Sequence, residues 1–257
     1  MKRLRREAGF SLIELAIGLV IVATLLSSLM VPLITQIDQK RTAETQRMLE
    51  QAREALIGFA AANNRLPCPA LPNGTGVESF AVGGNASTGG CQAVSGLLPG
   101  ATLGLSPLDA QGYYVDPFGT TSNRMHYAVS NQTVNGVTNP FTRINGMKTN
   151  AMMSAIAAAN STVTSLLFVC AASGAATNCG TATPLANGNA IAVIFSPGKN
   201  AVLNAPSADE QGNLGVNAEV FVSRTASNVT GAVFDDQVLW ISPAPLFSRL
   251  ISAGALP

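Results

Sequence analysis

The residue types with the clearest chemistry lie in the first fifteen positions of the chain. Basic residues precede Gly9 and Phe10, and Glu14 stands just inside a long apolar run. A charged group in a membrane segment costs about 3 kcal/mol, so it is a functional candidate whose partner must be named. If the chain is cut after Gly9, Phe10 carries a free amine, which is a partner for Glu14 in the same or a neighbouring chain. The alternative is a glutamate at the membrane edge whose carboxylate reaches water.

The apolar run from Leu15 to about Ile34 contains no charged residue. A helix needs about 20 apolar residues to cross a bilayer, so the run predicts a transmembrane helix. The basic residues before it predict a cytoplasmic leader, with the rest of the chain outside. A secretory signal peptide has an apolar core of about 7–15 residues with small residues after it. Here the small residue, Gly9, precedes the apolar run instead.

These residues carry a family resemblance. The segment Gly9-Phe10-Ser11-Leu12-Ile13-Glu14 resembles the processing site of type IV pilins and type II secretion pseudopilins. The resemblance implies that prepilin peptidase cuts after Gly9, that Phe10 is then methylated, and that Glu14 registers each subunit during assembly. It implies a single-pass protein of the bacterial inner membrane with a periplasmic head, which becomes extracellular in a pilus. The implied partners are other pilin or pseudopilin subunits and the inner-membrane assembly platform.

Helical periodicity continues beyond the apolar run, because apolar and charged residues alternate at helical spacing as far as Asn63. Gly18 and Pro32 are helix breakers within the apolar part, and Pro32 removes a backbone hydrogen bond, which predicts a kink or a stretch that unwinds. The predicted organisation has four parts: a leader (1–9), a transmembrane and assembly helix (10–34), its amphipathic continuation (35–64) and a globular head (65–257).

The head contains the four cysteines of the chain. Its location outside the cytoplasm makes disulfides the expected state, and four cysteines allow three connectivities. We favour sequence-local pairing, Cys68 with Cys91 and Cys170 with Cys179. A structural zinc site is not expected, because no CxxC spacing occurs and His126 is the only histidine.

The expected fold class is α+β, a long helix whose second half packs against an antiparallel sheet. The turn Asp116-Pro117-Phe118-Gly119 and the strand after it are similar to the Asp-Pro-Trp-Gly turn of pseudopilins, with phenylalanine in place of tryptophan. Turn residues and apolar runs predict the remaining elements: loops at 70–104 and 200–217, a helix at 150–160, and strands at 163–170, 190–196, 219–223 and 238–241. Ser242 is expected to cap a last helix with an apolar face: Leu246, Phe247, Leu250 and Ile251.

Composition argues against several functions. The formal net charge of +1 gives no electrostatic case for nucleic acid. His126 lies on an expected strand and is assigned a structural role. The acidic pairs Asp209-Glu210 and Asp235-Asp236 stand in loops, and some pseudopilins bind calcium in the C-terminal loop region. Neither pair shows a ladder of ligands, so we expect solvated turns and no cofactor, with calcium at Asp235 and Asp236 as the weaker alternative.

The sequence therefore predicts a non-enzymatic pilin-like subunit, and its long head favours a minor one. An alternative is a membrane-anchored adhesin or a module that binds DNA or another ligand at a fibre tip. That alternative needs an exposed aromatic or basic patch, and tryptophan, tyrosine, lysine and arginine are scarce in the head. A membrane-tethered enzyme is a further alternative, against which stand the lone histidine and the lack of an acid–base cluster.

Overall fold

The computed structural model describes residues 11–119, 121–149, 152, 166–203, 206–215 and 217–256, with the backbone alone at 28–33 and 202–203. The chain divides into two units, Met1–Ala43 and Glu44–Pro257. The second unit contains the whole predicted head.

The first described element is helix α1, Leu12–Asn63, of 52 residues. The helix runs through the positions of Gly18 and Pro32 without ending at either, although the side chain of Pro32 lies outside the described residues. In the described part of the chain, no helix has both the length and the apolarity that crossing a membrane requires.

The C-terminal part of α1 supplies one side of the core of the second unit. Leu49, Ala52, Leu56 and Ala60 are fully buried, at spacings of three and four residues that place them on one face of the helix. They belong to one hydrophobic cluster with buried residues of the head, among them Tyr127. The helix ends at Asn63, as expected, and Asn64 follows with a φ of 54°.

In the described part of the head, seven strands form two sheets. They are β1 (Ser95–Leu97), β2 (His126–Val129), β3 (Leu167–Cys170), β4 (Pro184–Ala190), β5 (Ala192–Ser196), β6 (Val220–Val222) and β7 (Gln237–Ile241). The first sheet has the order β1-β2-β5-β7, and every pair in it is antiparallel. This antiparallel sheet, with α1, confirms the predicted fold class. The second sheet has the order β4-β3-β6, and its β3–β6 pair is parallel, which the sequence did not indicate.

The predicted tight turn before β2 is present. The Gly119 N–H donates to the carbonyl oxygen of Asp116 at 3.0 Å. One carboxylate oxygen of Asp116 accepts from the Phe118 N–H at 2.9 Å, and the other accepts from the Ser196 hydroxyl on β5. The aspartate therefore joins the turn to the first sheet.

Two of the predicted loops are more ordered than the sequence suggested. The segment 70–104 contains β1 and a short helix α2, Gly100–Leu103. The segment 200–217 contains the end of a 3₁₀ helix, Lys199–Leu203, and helix α3, Ala208–Asn213. These elements are only three to six residues long, too short to show a periodic pattern.

Strand boundaries also differ from the prediction. The run 190–196 was expected as one strand, but Ala190 ends β4 and Ala192 begins β5. The predicted helix at 150–160 and the start of the strand at 163–170 lie outside the described residues, apart from Met152, which is buried.

The last helix, α4, spans Pro243–Ser252 with Ser242 at its N-cap. The serine makes no side-chain capping hydrogen bond, so that part of the expectation is wrong. Leu246, Phe247 and Leu250 are buried, whereas Ile251 is 43% exposed and lies outside the buried face.

Candidate functional site

The predicted processing residues Gly9 and Phe10 lie outside the described residues, and Glu14 lies in the first turn of α1. Oε2 of Glu14 accepts a hydrogen bond from the Ser11 N–H at 3.3 Å. Oγ of Ser11 accepts from the Ile13 N–H at 3.4 Å. This reciprocal pair resembles a capping box, which satisfies backbone donors at the start of a helix. The Ser-x-x-Glu spacing that encodes it stands in the sequence, and our sequence analysis missed it.

This geometry bears on both interpretations of Glu14. A carboxylate in the first turn interacts favourably with the positive end of the helix dipole, so Glu14 has a role in helix initiation even within one chain. The same geometry turns the carboxylate towards the N-terminal end of the chain. Cleavage after Gly9 would create the new amine one residue before Ser11.

The cysteines are paired as the sequence analysis favoured, Cys68 with Cys91 and Cys170 with Cys179. Beside the first disulfide, the Arg65 guanidinium makes two hydrogen bonds to the Glu78 carboxylate, of 2.7 and 2.6 Å. Oε2 of Glu78 also accepts from the Cys68 N–H at 3.1 Å. The loop after α1 is thus held by a covalent bond and an ion pair at the same place.

The two acidic pairs of the sequence converge in the head. One carboxylate oxygen from each of Glu210, Asp235 and Asp236 lies within 4.8 Å of the other two. Glu210 is 1% exposed and Asp236 is 6% exposed. The prediction that these residues lie in solvated turns is therefore wrong, and we refer to Glu210, Asp235 and Asp236 as the acidic cluster.

Local structure around α3 positions Glu210. Ser207 and Glu210 form a capping box at the N-terminus of α3, in which Oε2 of Glu210 accepts from the Ser207 N–H at 2.7 Å. Oε1 of Glu210 accepts from the Asp235 N–H at 3.0 Å and from Nδ2 of Asn200 at 2.8 Å. One side chain therefore joins three segments of the chain.

Asn213, at the end of α3, positions the other side of the cluster. Its Nδ2 donates to Oδ2 of Asp236 at 2.7 Å and to the carbonyl oxygen of Val222 at 3.0 Å. Its Oδ1 accepts from the Val222 N–H at 2.6 Å. The amide thus connects α3, β6 and the residue that precedes β7.

Burial dominates the electrostatics of the cluster. Loss of hydration raises the pKa of Asp236 to about 8, and the nearby charges of Glu210 and Asp235 add to the rise, against the hydrogen bond from Asn213. Burial likewise raises the pKa of Asp235 to about 6, with Glu210 and Asp116 contributing in the same direction. Three carboxylates this close favour a neutralising proton or cation.

The donor set suits a hard cation. Oδ1 of Asp235 is buried and has no hydrogen-bond partner within the described part of the chain. Calcium binds carboxylate and carbonyl oxygens in flexible geometry, so Glu210, Asp235 and Asp236 are the residues that would hold it. The expectation of no cofactor stays a prediction beside this alternative.

His126 has a packing role in the structure. Its ring stacks on Phe195 across the β2–β5 pair, with the ring centroids 4.7 Å apart. Loss of hydration lowers the pKa of His126 to about 4, so the imidazole is neutral at physiological pH.

Comparison with known proteins concerns the N-terminus alone. A family model described as the prokaryotic N-terminal methylation motif matches residues 4–30. Among curated proteins and among solved structures, nothing matches the chain significantly. The motif, which includes Gly9, Phe10 and Glu14, supports placing this chain in the type IV pilin and pseudopilin family.

Proposed function

We propose that the chain is a non-enzymatic precursor subunit that prepilin peptidase processes and that assembles through its N-terminal helix. The observation that carries the proposal is the methylation motif at residues 4–30. The product is a subunit of a type IV pilus or a type II secretion pseudopilus, in which a head this long favours a minor position. Before assembly it lies in the bacterial inner membrane, with the leader cytoplasmic and the head periplasmic.

The mechanism resides in the first residues of the mature chain. Cleavage after Gly9 frees the amine of Phe10, which is then methylated. Glu14 already directs its carboxylate to the N–H of Ser11, the residue next to Phe10. Little rearrangement is therefore needed for an ion pair between this carboxylate and the Phe10 amine. The pair forms within one chain or with the previous subunit, which brings each new subunit into register.

The two disulfides of the head support a role outside the cytoplasm. Both cysteine pairs are oxidised in the structure, and disulfides persist mainly in oxidising compartments. The partners that we propose are prepilin peptidase, other pilin or pseudopilin subunits and the assembly platform of the inner membrane.

Intact-mass measurement of the protein from native membranes tests the proposal. The expected mass lacks residues 1–9, carries one added methyl group and lacks four hydrogens for two disulfides. Gly9→Val is expected to leave the precursor uncut, whereas Glu14→Gln is expected to be cut normally but to fail to co-purify with fibres. A wild-type chain that retains Met1 through Gly9 would overturn the proposal and favour a membrane-anchored binding module.

A further inference from the structure

A polar cavity opens on the head, and its described lining includes no residue of the acidic cluster. It is lined by 90–94, 129–131, Asn139, Thr142, Asn217 and Glu219, and its volume is about 480 Å³. We call it the polar cleft. Sites for small molecules usually enclose about 300–1,000 Å³, so the cleft has the size of such a site.

The cleft is built on fixed backbone. The Val94 N–H donates to Oδ1 of Asn217 at 3.0 Å, and the hydroxyl of Ser95 donates to the carbonyl oxygen of Gly215 at 2.9 Å. Another lining residue, the buried Thr142, donates its hydroxyl to the carbonyl oxygen of Gly89 at 2.6 Å. Segments distant in sequence are therefore tied together around the opening, and a ligand would meet a largely preformed surface.

The lining supplies uncharged donors and acceptors in pairs. Gln92, Asn131, Asn139 and Asn217 line the cleft, and a side-chain amide has two donor hydrogens and an acceptor oxygen. Part of this capacity is used within the chain, because Oδ1 of Asn217 accepts from the Val94 N–H and Nδ2 of Asn139 donates to the carbonyl oxygen of Thr88 at 3.5 Å. Glu219 adds a carboxylate, of which Oε1 accepts from Nε2 of Gln132 at 3.0 Å. Oε2 is the second acceptor that this carboxylate offers.

The charge of the lining selects against anions. Within the described part of the chain, neither lysine nor arginine lines the cleft, and Glu219 is its one ionisable side chain. Phosphates, sulfates and carboxylates would therefore meet repulsion without compensation. Amides beside a single carboxylate match the alternating donors and acceptors of a hydroxyl-rich ligand instead.

We propose that the polar cleft binds a neutral saccharide. The inference goes beyond the proposed function and does not depend on it, because no residue of the cleft belongs to the processing motif. The cleft has no aromatic residue among its described lining, so binding rests on hydrogen bonds and is expected to be weak and fast-exchanging.

Ligand-observed saturation-transfer NMR on the full-length protein suits binding of this kind. The protein is kept in a detergent without a sugar headgroup, and the probes are glucose, galactose, mannose and N-acetylglucosamine. Glucose 6-phosphate and glucosamine serve as the anionic and cationic comparators. We expect saturation transfer to at least one neutral sugar and none to glucose 6-phosphate.

Variants locate the binding. Glu219→Gln combined with Asn131→Ala is expected to reduce the transfer at least fivefold, whereas Asn228→Ala, an exposed asparagine outside the cleft, is expected to leave it unchanged. Thermal unfolding verifies that each variant is folded. Transfer to none of the neutral sugars, transfer to glucosamine alone, or equal transfer in the folded double variant would each overturn the proposal.

Discussion

Replacing Asp236 by asparagine is expected to stabilise the head at neutral pH and to have little effect in acid. The pKa of the buried Asp236 carboxyl is about 8, against 3.8 for the unperturbed group. The folded chain therefore holds a proton that the unfolded chain has released. Asparagine is neutral at every pH, and its side-chain oxygen can still accept the hydrogen bond that Asn213 donates at 2.7 Å.

The sign and the size follow from proton linkage. A raised pKa in the folded state means that the contribution of Asp236 is complete below pH 3.8 and is lost as the pH rises to about 8. Each pH unit in that interval costs about 1.4 kcal/mol of the free energy of unfolding. From pH 4 to pH 7 the advantage of the variant over wild type should grow by about 4 kcal/mol.

The assay uses the single tryptophan of the chain. Trp240 lies on β7, the strand that begins directly after Asp236. Its fluorescence follows urea unfolding of the full-length protein in micelles. The buffers are freed of divalent cations with a chelating resin beforehand, so that no divalent cation replaces the protons at any pH of the series. A parallel series with millimolar calcium should stabilise wild type more at pH 8 than at pH 5, if a cation takes the place of the protons.

Asp209→Asn is the matched control of opposite sign. Burial raises the pKa of Asp209, but hydrogen bonds from Ser173 and Arg224 outweigh it and leave the pKa below its usual value. That variant should therefore lose stability relative to wild type as the pH rises from acid to neutral. A difference between Asp236→Asn and wild type that stays constant from pH 4 to pH 8 would refute the reasoning about the cluster.

Three further predictions concern the stability of the head, each measured by the same urea unfolding. Glu78→Ala leaves the buried guanidinium of Arg65 without its carboxylate partner and should lower the free energy of unfolding by about 3–5 kcal/mol. The control Glu54→Ala removes an exposed ion pair and should lower it by less than about 1 kcal/mol. Equal effects would contradict the role assigned to burial. Leu56→Ala opens a cavity at a fully buried position and should cost about 2–5 kcal/mol, and a cost below about 1 kcal/mol would show that α1 packs loosely there. Cys91→Ser breaks the disulfide whose cysteines are 23 residues apart in sequence, and Cys179→Ser breaks the one whose cysteines are 9 apart. The first change should therefore cost roughly 3 kcal/mol and the second somewhat less, because a longer closed loop restricts the unfolded chain more. The reverse order would contradict the loop-entropy account.

Much of the fold could be predicted from the periodicity of apolar residues and from the residues that form turns. The long helix carries its core residues at helical spacing, and β2 follows a turn that Asp116, Pro117 and Gly119 specify. Strand β4 was missed because Pro184, Asn187 and Gly188 disfavour strands. Its pairing with β3, interrupted by register shifts, outweighs that local preference.

The candidate site could be predicted from the sequence only in part. The processing motif is contiguous in sequence, so its residues could be named directly. The acidic cluster depends on tertiary structure, because Glu210 and Asp235 are distant in sequence and meet only when α3 packs near the start of β7. The Ser207-x-x-Glu210 spacing is typical of a helix start, but our sequence analysis missed it and assigned 200–217 to a loop; it is a local signal that could have led to the cluster.

Asn213 has a consequence for behaviour at high concentration. Strand β6 is an edge of the second sheet, and an edge strand exposes backbone groups with which a strand of another molecule can pair. The side-chain amide of Asn213 already occupies both the N–H and the C=O of Val222, so that stretch of the edge is closed within its own chain. A strand of another molecule that approached β6 would therefore find the backbone groups of Val222 already occupied, which opposes extension of the second sheet between molecules.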